Sequence, residues 1–124
     1  MSLLRYLQHL MAKQGVGSRH RVEQWVRVCG VKEAPVAGGV MEADAAGRAV
    51  CLANVEGSLR AVDNWCPHRQ GPLGQGWMAG SAVVCPWHCW EFDTESGEAL
   101  PPESGKVAVF PVKVVGDDVL VNLG

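Results

Sequence analysis

The chain has 124 residues, 48% of them hydrophobic and 19% charged, with a formal net charge of −2 at neutral pH. That suits one domain around a single modest core, and it lacks the basic face that nucleic-acid binding demands. No window reaches the roughly 20 consecutive apolar residues of a membrane-spanning helix.

Residues 2–13 place Leu3, Leu4, Leu7, Leu10 and Met11 at helical spacing, which predicts a short amphipathic helix ended by Gly15 and Gly17. Arg5, Gln8, His9 and Lys13 interrupt the apolar run, so it does not read as a secretory signal. Residues 1–20 are set apart as an N-terminal helical leader, packed on its own domain or docking a partner subunit or a second copy. Residues 21–124 form the main domain, where the pattern switches to strands. These are expected over Trp25–Cys29, Val40–Ala43, Ala49–Val55, Leu59–Val62, Ser81–Val84 and Trp90–Asp93. Lys32–Gly39 is a loop, Glu95–Glu98 a turn, and Pro101-Pro102 forbids regular pairing where it lies. Val107–Val115 and Val119–Asn122 form a predicted hairpin around Gly116-Asp117-Asp118. Strands this short, punctuated by turn residues, predict an all-β antiparallel sandwich or small barrel.

Two clusters carry the chemistry, Cys66-Pro67-His68 and Cys85-Pro86-Trp87-His88, with sixteen residues between His68 and Cys85. Each offers one thiolate and one imidazole, a donor set for a metal. Structural zinc also takes two Cys and two His, but usually through like pairs spaced Cys-x2–4-Cys and His-x3–5-His, about one knuckle each. Here both pairs are mixed. The other solution puts both Cys on one iron and both His on its neighbour in a 2Fe–2S cluster, so that each loop serves both irons. The remaining cysteines, Cys29, Cys51 and Cys89, have no evident pairing. Free thiols beside a bound cluster fit a reducing cytoplasm better than secretion.

The two clusters, followed by Trp90-Glu91-Phe92-Asp93, resemble the Rieske-type ferredoxin family, and the resemblance extends over roughly Glu23 to Leu123. It implies a β-sandwich base of the Rieske type with a cluster-binding loop subdomain at one tip. A proline-bearing loop would cover the third side, and Pro101 and Pro102 fall where it would lie. It implies Cys66, His68, Cys85 and His88 as the ligands of a Rieske 2Fe–2S cluster. Neutral imidazoles in place of two thiolates ease reduction, and their second ring nitrogens couple electron uptake to proton uptake at alkaline pH.

Three departures separate this chain from the high-potential branch of the family. That branch carries Ser and Tyr two and four residues after the second His, where Trp90 and Phe92 stand here. It also carries two bridging cysteines, at the positions of Gly71 and Trp87. A low-potential ferredoxin type is therefore expected. The family usually has Gly after the second His, where this chain has Cys89. That residue is read as a small buried thiol with negative φ, the alternative being a thiol close enough to tune the cluster. Trp65, Trp77, Trp87 and Trp90 are expected to pack the loops and keep water from the sulfurs.

A Rieske oxygenase adds a mononuclear iron on two His and a carboxylate, and here only His9 and His20 remain. No Gly-x-Gly-x-x-Gly fingerprint for a flavin or nicotinamide is present. The expected function is a one-electron carrier from a reductase to an oxygenase or similar terminal enzyme, with no substrate-converting site of its own. His68 and His88 would be its exit route. Glu91, Asp93, Glu95, Glu98 and Glu103 read as a solvated face, the alternative being that they steer a basic partner. The alternatives are a Rieske-like small subunit of a larger reductase, such as assimilatory nitrite reductase, and a zinc-stabilised interaction module.

Overall fold

The computed structural model describes residues 23–124, so the leader expected over residues 1–20 lies outside the described residues. Ten strands follow in order within them: β1 (Trp25–Gly30), β2 (Val40–Ala45), β3 (Arg48–Val55), β4 (Ser58–Asp63), β5 (Trp77–Ala79), β6 (Ala82–Val84), β7 (Glu91–Asp93), β8 (Val109–Phe110), β9 (Val112–Val115) and β10 (Asp118–Asn122). They form three antiparallel sheets, ordered β1-β10-β9, β2-β3-β4-β8 and β5-β6-β7. The first two make the base. The third is the small sheet that carries the second of the two Cys-Pro clusters, Cys85 to His88, between β6 and β7.

Turn chemistry sets the register of the base. Strands β2 and β3 are joined by Ala46-Gly47 with φ of +52° and +92°, and β3 and β4 by Glu56-Gly57 with +52° and +95°. Positive φ at both central residues is the two-residue hairpin signature whose twist matches that of the flanking strands. Pairing accordingly starts at Ala45–Arg48 in one hairpin and Val55–Ser58 in the other.

The unbroken apolar run in β3 has a structural reason. A strand with one face in water alternates, whereas one covered on both faces does not. Val50 and Leu52 point into a core with Ala61, Phe110, Val119 and Val121, between the two base sheets. Cys51 points the other way, into a second core with Val62, Cys66, Leu73, Val83, Cys85, Phe92 and Val107. Strands β3 and β4 are thus a shared wall. On one side lies the sandwich, and on the other the packing beneath the two loops that start at Cys66 and Cys85.

Two details depart from the sequence expectation. Val107–Val115 is not one strand: β8 pairs with β4 in one sheet, and β9 pairs with β10 in the other. Pro111 sits at the change, with no N–H for a ladder, and its carbonyl accepts from the Asn122 N–H at 2.9 Å. The strand β5 also goes beyond expectation. Three residues behind Gly74 and Gly76 carry too little periodicity to announce themselves, and pairing with β6 makes the strand.

Candidate metal centre

The first ligand loop leaves β4 through Asn64, a fully buried residue. Its Oδ1 accepts from the Gly74 N–H at 2.8 Å, and its Nδ2 donates to Glu42 Oε2 at 2.6 Å. Gln75 Nε2 donates to the other Glu42 oxygen at 2.9 Å. Both ends of the loop are thereby tied to β2. A buried amide must find such partners or cost stability, and nothing in the local sequence names Glu42 as the partner. The second loop runs from β6 to β7, so a hairpin holds its ends.

The two loops are built alike. The carbonyl of Cys66 accepts from the Gln70 N–H at 2.8 Å, and that of Cys85 from the Cys89 N–H at 2.9 Å. The N–H of Cys66 donates to the Gly71 carbonyl at 2.9 Å, and that of Cys85 to the Trp90 carbonyl at 2.8 Å. Gln70 and Cys89 occupy matching places and share positive φ, +63° and +61°. The first loop adds Arg69 at φ +79°. Each loop thus presents its cysteine at the base and its histidine two or three residues on.

This arrangement brings all four sequence-predicted donors to one end of the molecule. Cys66 and Cys85 are buried, both unpaired, and lie side by side; His68 is half-buried and His88 exposed. The two imidazole centroids are 4.9 Å apart at 77°. Burial pushes the Cys66 thiol up, the His68 backbone N–H pulls it back, and the neighbouring Cys85 raises it further. A ligating thiol must lose its proton, so a metal has to displace it there, and loading weakens as pH falls. The donors divide two and two, thiol with thiol and imidazole with imidazole. That set fits a binuclear iron–sulfur cluster better than tetrahedral zinc.

The loops approach closely at Gly71, where a Cβ would lie 2.4 Å from Cys85 Sγ and 3.5 Å from Trp87 Cβ. Gly71 and Trp87 therefore face each other, as two positions that carry a bridge in the high-potential branch must. In the segment expected on the third side, the Pro101–Pro102 peptide is cis. Ala99, just before it, packs on the core beneath the thiols.

Cys89 corrects the sequence reading twice: its φ is positive, so the backbone requirement that favours Gly persists, and its side chain is exposed rather than buried. A non-Gly residue in the left-handed region costs about 1–2 kcal/mol, partly offset by the extra freedom Gly has when unfolded. Cys89→Gly should therefore stabilise the protein by about 0.5–1 kcal/mol in chemical denaturation, with the visible spectrum unchanged. Cys51, by contrast, is fully buried, and burial pushes its thiol up to about 12. The tryptophans also divide. Trp65, Trp77 and Trp87 are 44%, 49% and 55% exposed, so they do not form the water-excluding shell expected of them. Trp90 is half-buried, and its ring stacks on His68 with centroids 4.3 Å apart and planes 8° from parallel.

Comparison with known proteins agrees with this geometry. A family model described as the Rieske [2Fe-2S] domain matches residues 24–111. The ferredoxin component of the naphthalene 1,2-dioxygenase system of Pseudomonas aeruginosa is 32% identical over 102 residues, covering 82% of this chain and 97% of that protein. The ferredoxin component of the alkene monooxygenase system of Xanthobacter autotrophicus is 33% identical over 101 residues, covering 80% and 81%. Among solved structures, the ferredoxin of carbazole 1,9a-dioxygenase from Nocardioides aromaticivorans superposes with a TM-score of 0.71 at 28% identity, over 79% of this chain and 96% of that one.

Proposed function

The chain belongs to the Rieske [2Fe-2S] family, and from that premise we propose that it is a ferredoxin, a one-electron carrier between a reductase and an oxygenase. The observation that carries this reading is its likeness, over nearly the full length of the relative, to a protein that is itself the separate ferredoxin component of a dioxygenase system. When bound, the Rieske cluster accepts and returns one electron.

The residues around it would do the rest. Cys66 and Cys85 would hold one iron from the buried side, and His68 and His88 the other from the exposed side. Buried Cys66 and Cys85 would hold the group away from water, and the exposed His88 would offer a partner access to it. Trp90 and Phe92 carry no hydroxyl, so the O–H donors that raise the potential in the high-potential branch are missing at these positions. Glu95 and Glu98 are exposed, and Glu91, Asp93 and Glu103 partly so; they would steer a basic docking face.

No helix among the described residues is long and apolar enough to cross a membrane. Five unpaired cysteines support placing the protein in the reducing cytoplasm.

The test is a redox titration followed by electron transfer. The midpoint is expected near the bottom of the roughly −150 to +300 mV Rieske span, with one electron per chain passing from a reductase to an oxygenase. Transfer should slow as salt rises. A midpoint well above zero would contradict the reading.

A further inference from the structure

Trp90 belongs to the second loop, two residues after His88, yet it stacks on the histidine of the first. The indole and the His68 imidazole lie 4.3 Å apart between centroids and within 8° of parallel. Phe92, completely buried, lies 6.4 Å from the indole between centroids, its ring tilted by 31°. An aromatic chain thus runs from the core through Trp90 to His68. His88 has no place in it: it meets His68 edge-on at 77° and faces solvent.

An imidazole turns readily about its ring torsion, whose wells are broad. Metal-bound histidines are usually fixed by a hydrogen bond from the second ring nitrogen to a carboxylate, carbonyl or water. Among the described residues neither His68 nor His88 lies within ion-pair distance of an Asp or Glu. For His68 the ring plane is set by stacking instead, because rotation would break a face-to-face contact that the core holds in place.

We propose that Trp90 is a positioning residue for His68: it fixes the imidazole plane across the gap between the two loops and shields one face, leaving His88 as the solvent-facing exit for the electron. This rests on the reading of His68 and His88 as cluster ligands. The consequence is an asymmetric pair, one histidine rigid and covered, the other accessible to a partner.

Trp90→Phe and Trp90→Leu separate stacking from bulk, since both fill space and only Phe presents a ring face. The holoprotein of each is purified without oxygen, reduced, and measured by pulsed electron paramagnetic resonance, which reports the hyperfine coupling of each ligating nitrogen. The unsubstituted protein is expected to show two distinct histidine nitrogens. Trp90→Phe should reproduce both couplings, whereas Trp90→Leu should shift one and leave the other. Loss of the cluster in Trp90→Leu alone would equally show that the ring face is required. The proposal is overturned if Trp90→Leu superimposes on the unsubstituted spectrum, if Phe and Leu shift it equally, or if neither variant takes up a cluster. An unsubstituted protein with no nitrogen coupling would remove the ligand assignment itself, and this inference with it.

Discussion

Cys66→Ala is expected to give a folded, colourless protein with neither iron nor acid-labile sulfide. Cys66 is fully buried and lies beside Cys85, so its loss leaves one thiolate where an iron needs two. Neither nearby spare thiol is placed to replace it: Cys51 is fully buried on β3, its thiol pushed up to about 12 by burial, and Cys89 is exposed, at the place in the second loop that Gln70 occupies in the first. The fold should survive, because what closes the loop is backbone. The Cys66 N–H bonds the Gly71 carbonyl and its carbonyl accepts from Gln70, and neither bond uses the sulfur. Circular dichroism would show the β structure retained, while iron analysis and visible absorption would report the loss. Full iron content in this variant would place the ligand elsewhere.

Phe92→Ala should destabilise the protein by about 3–5 kcal/mol, the usual cost of emptying a large buried aromatic site. Phe92 is completely buried in the core that contains both candidate thiols. It also sits at the centre of β7, pairing with Val83 of β6, so a cavity there is not easily collapsed. Equilibrium denaturation followed by far-ultraviolet dichroism would measure the loss, and the cluster should bleach at lower denaturant than in the unsubstituted protein. A change below about 1 kcal/mol, the range of ordinary substitutions, would show that this core does not support the loops.

The candidate donors stand out in the sequence because metal ligation restricts residue type and spacing tightly, and the two Cys-Pro clusters satisfy both restrictions within one stretch. The strands on either side of Ala46-Gly47 and Glu56-Gly57 were legible from their short apolar or alternating runs. What escaped is tertiary. Pro111 was visible as a residue, but only the positions of β4 and β10 make it the point where the chain changes sheets. The buried Asn64 looked like any polar loop residue, since its partner Glu42 is 22 positions away. Cys89 was misjudged because side-chain type does not report φ; the Gly usual at that place in the family was the signal that a positive φ is required there. The tryptophans were misjudged because aromatic residues near a metal site are as able to face a partner as to exclude water.

An electron–nitrogen coupling measurement on the reduced, anaerobically purified protein, with iron and sulfide assayed on the same sample, tests the central claim most directly. Two irons and two sulfides per chain, as the family implies, with two coupled histidine nitrogens that vanish together in a His68→Ala, His88→Ala double variant, is the result predicted. A colourless zinc protein, or a cluster with no nitrogen coupled to it, would contradict it.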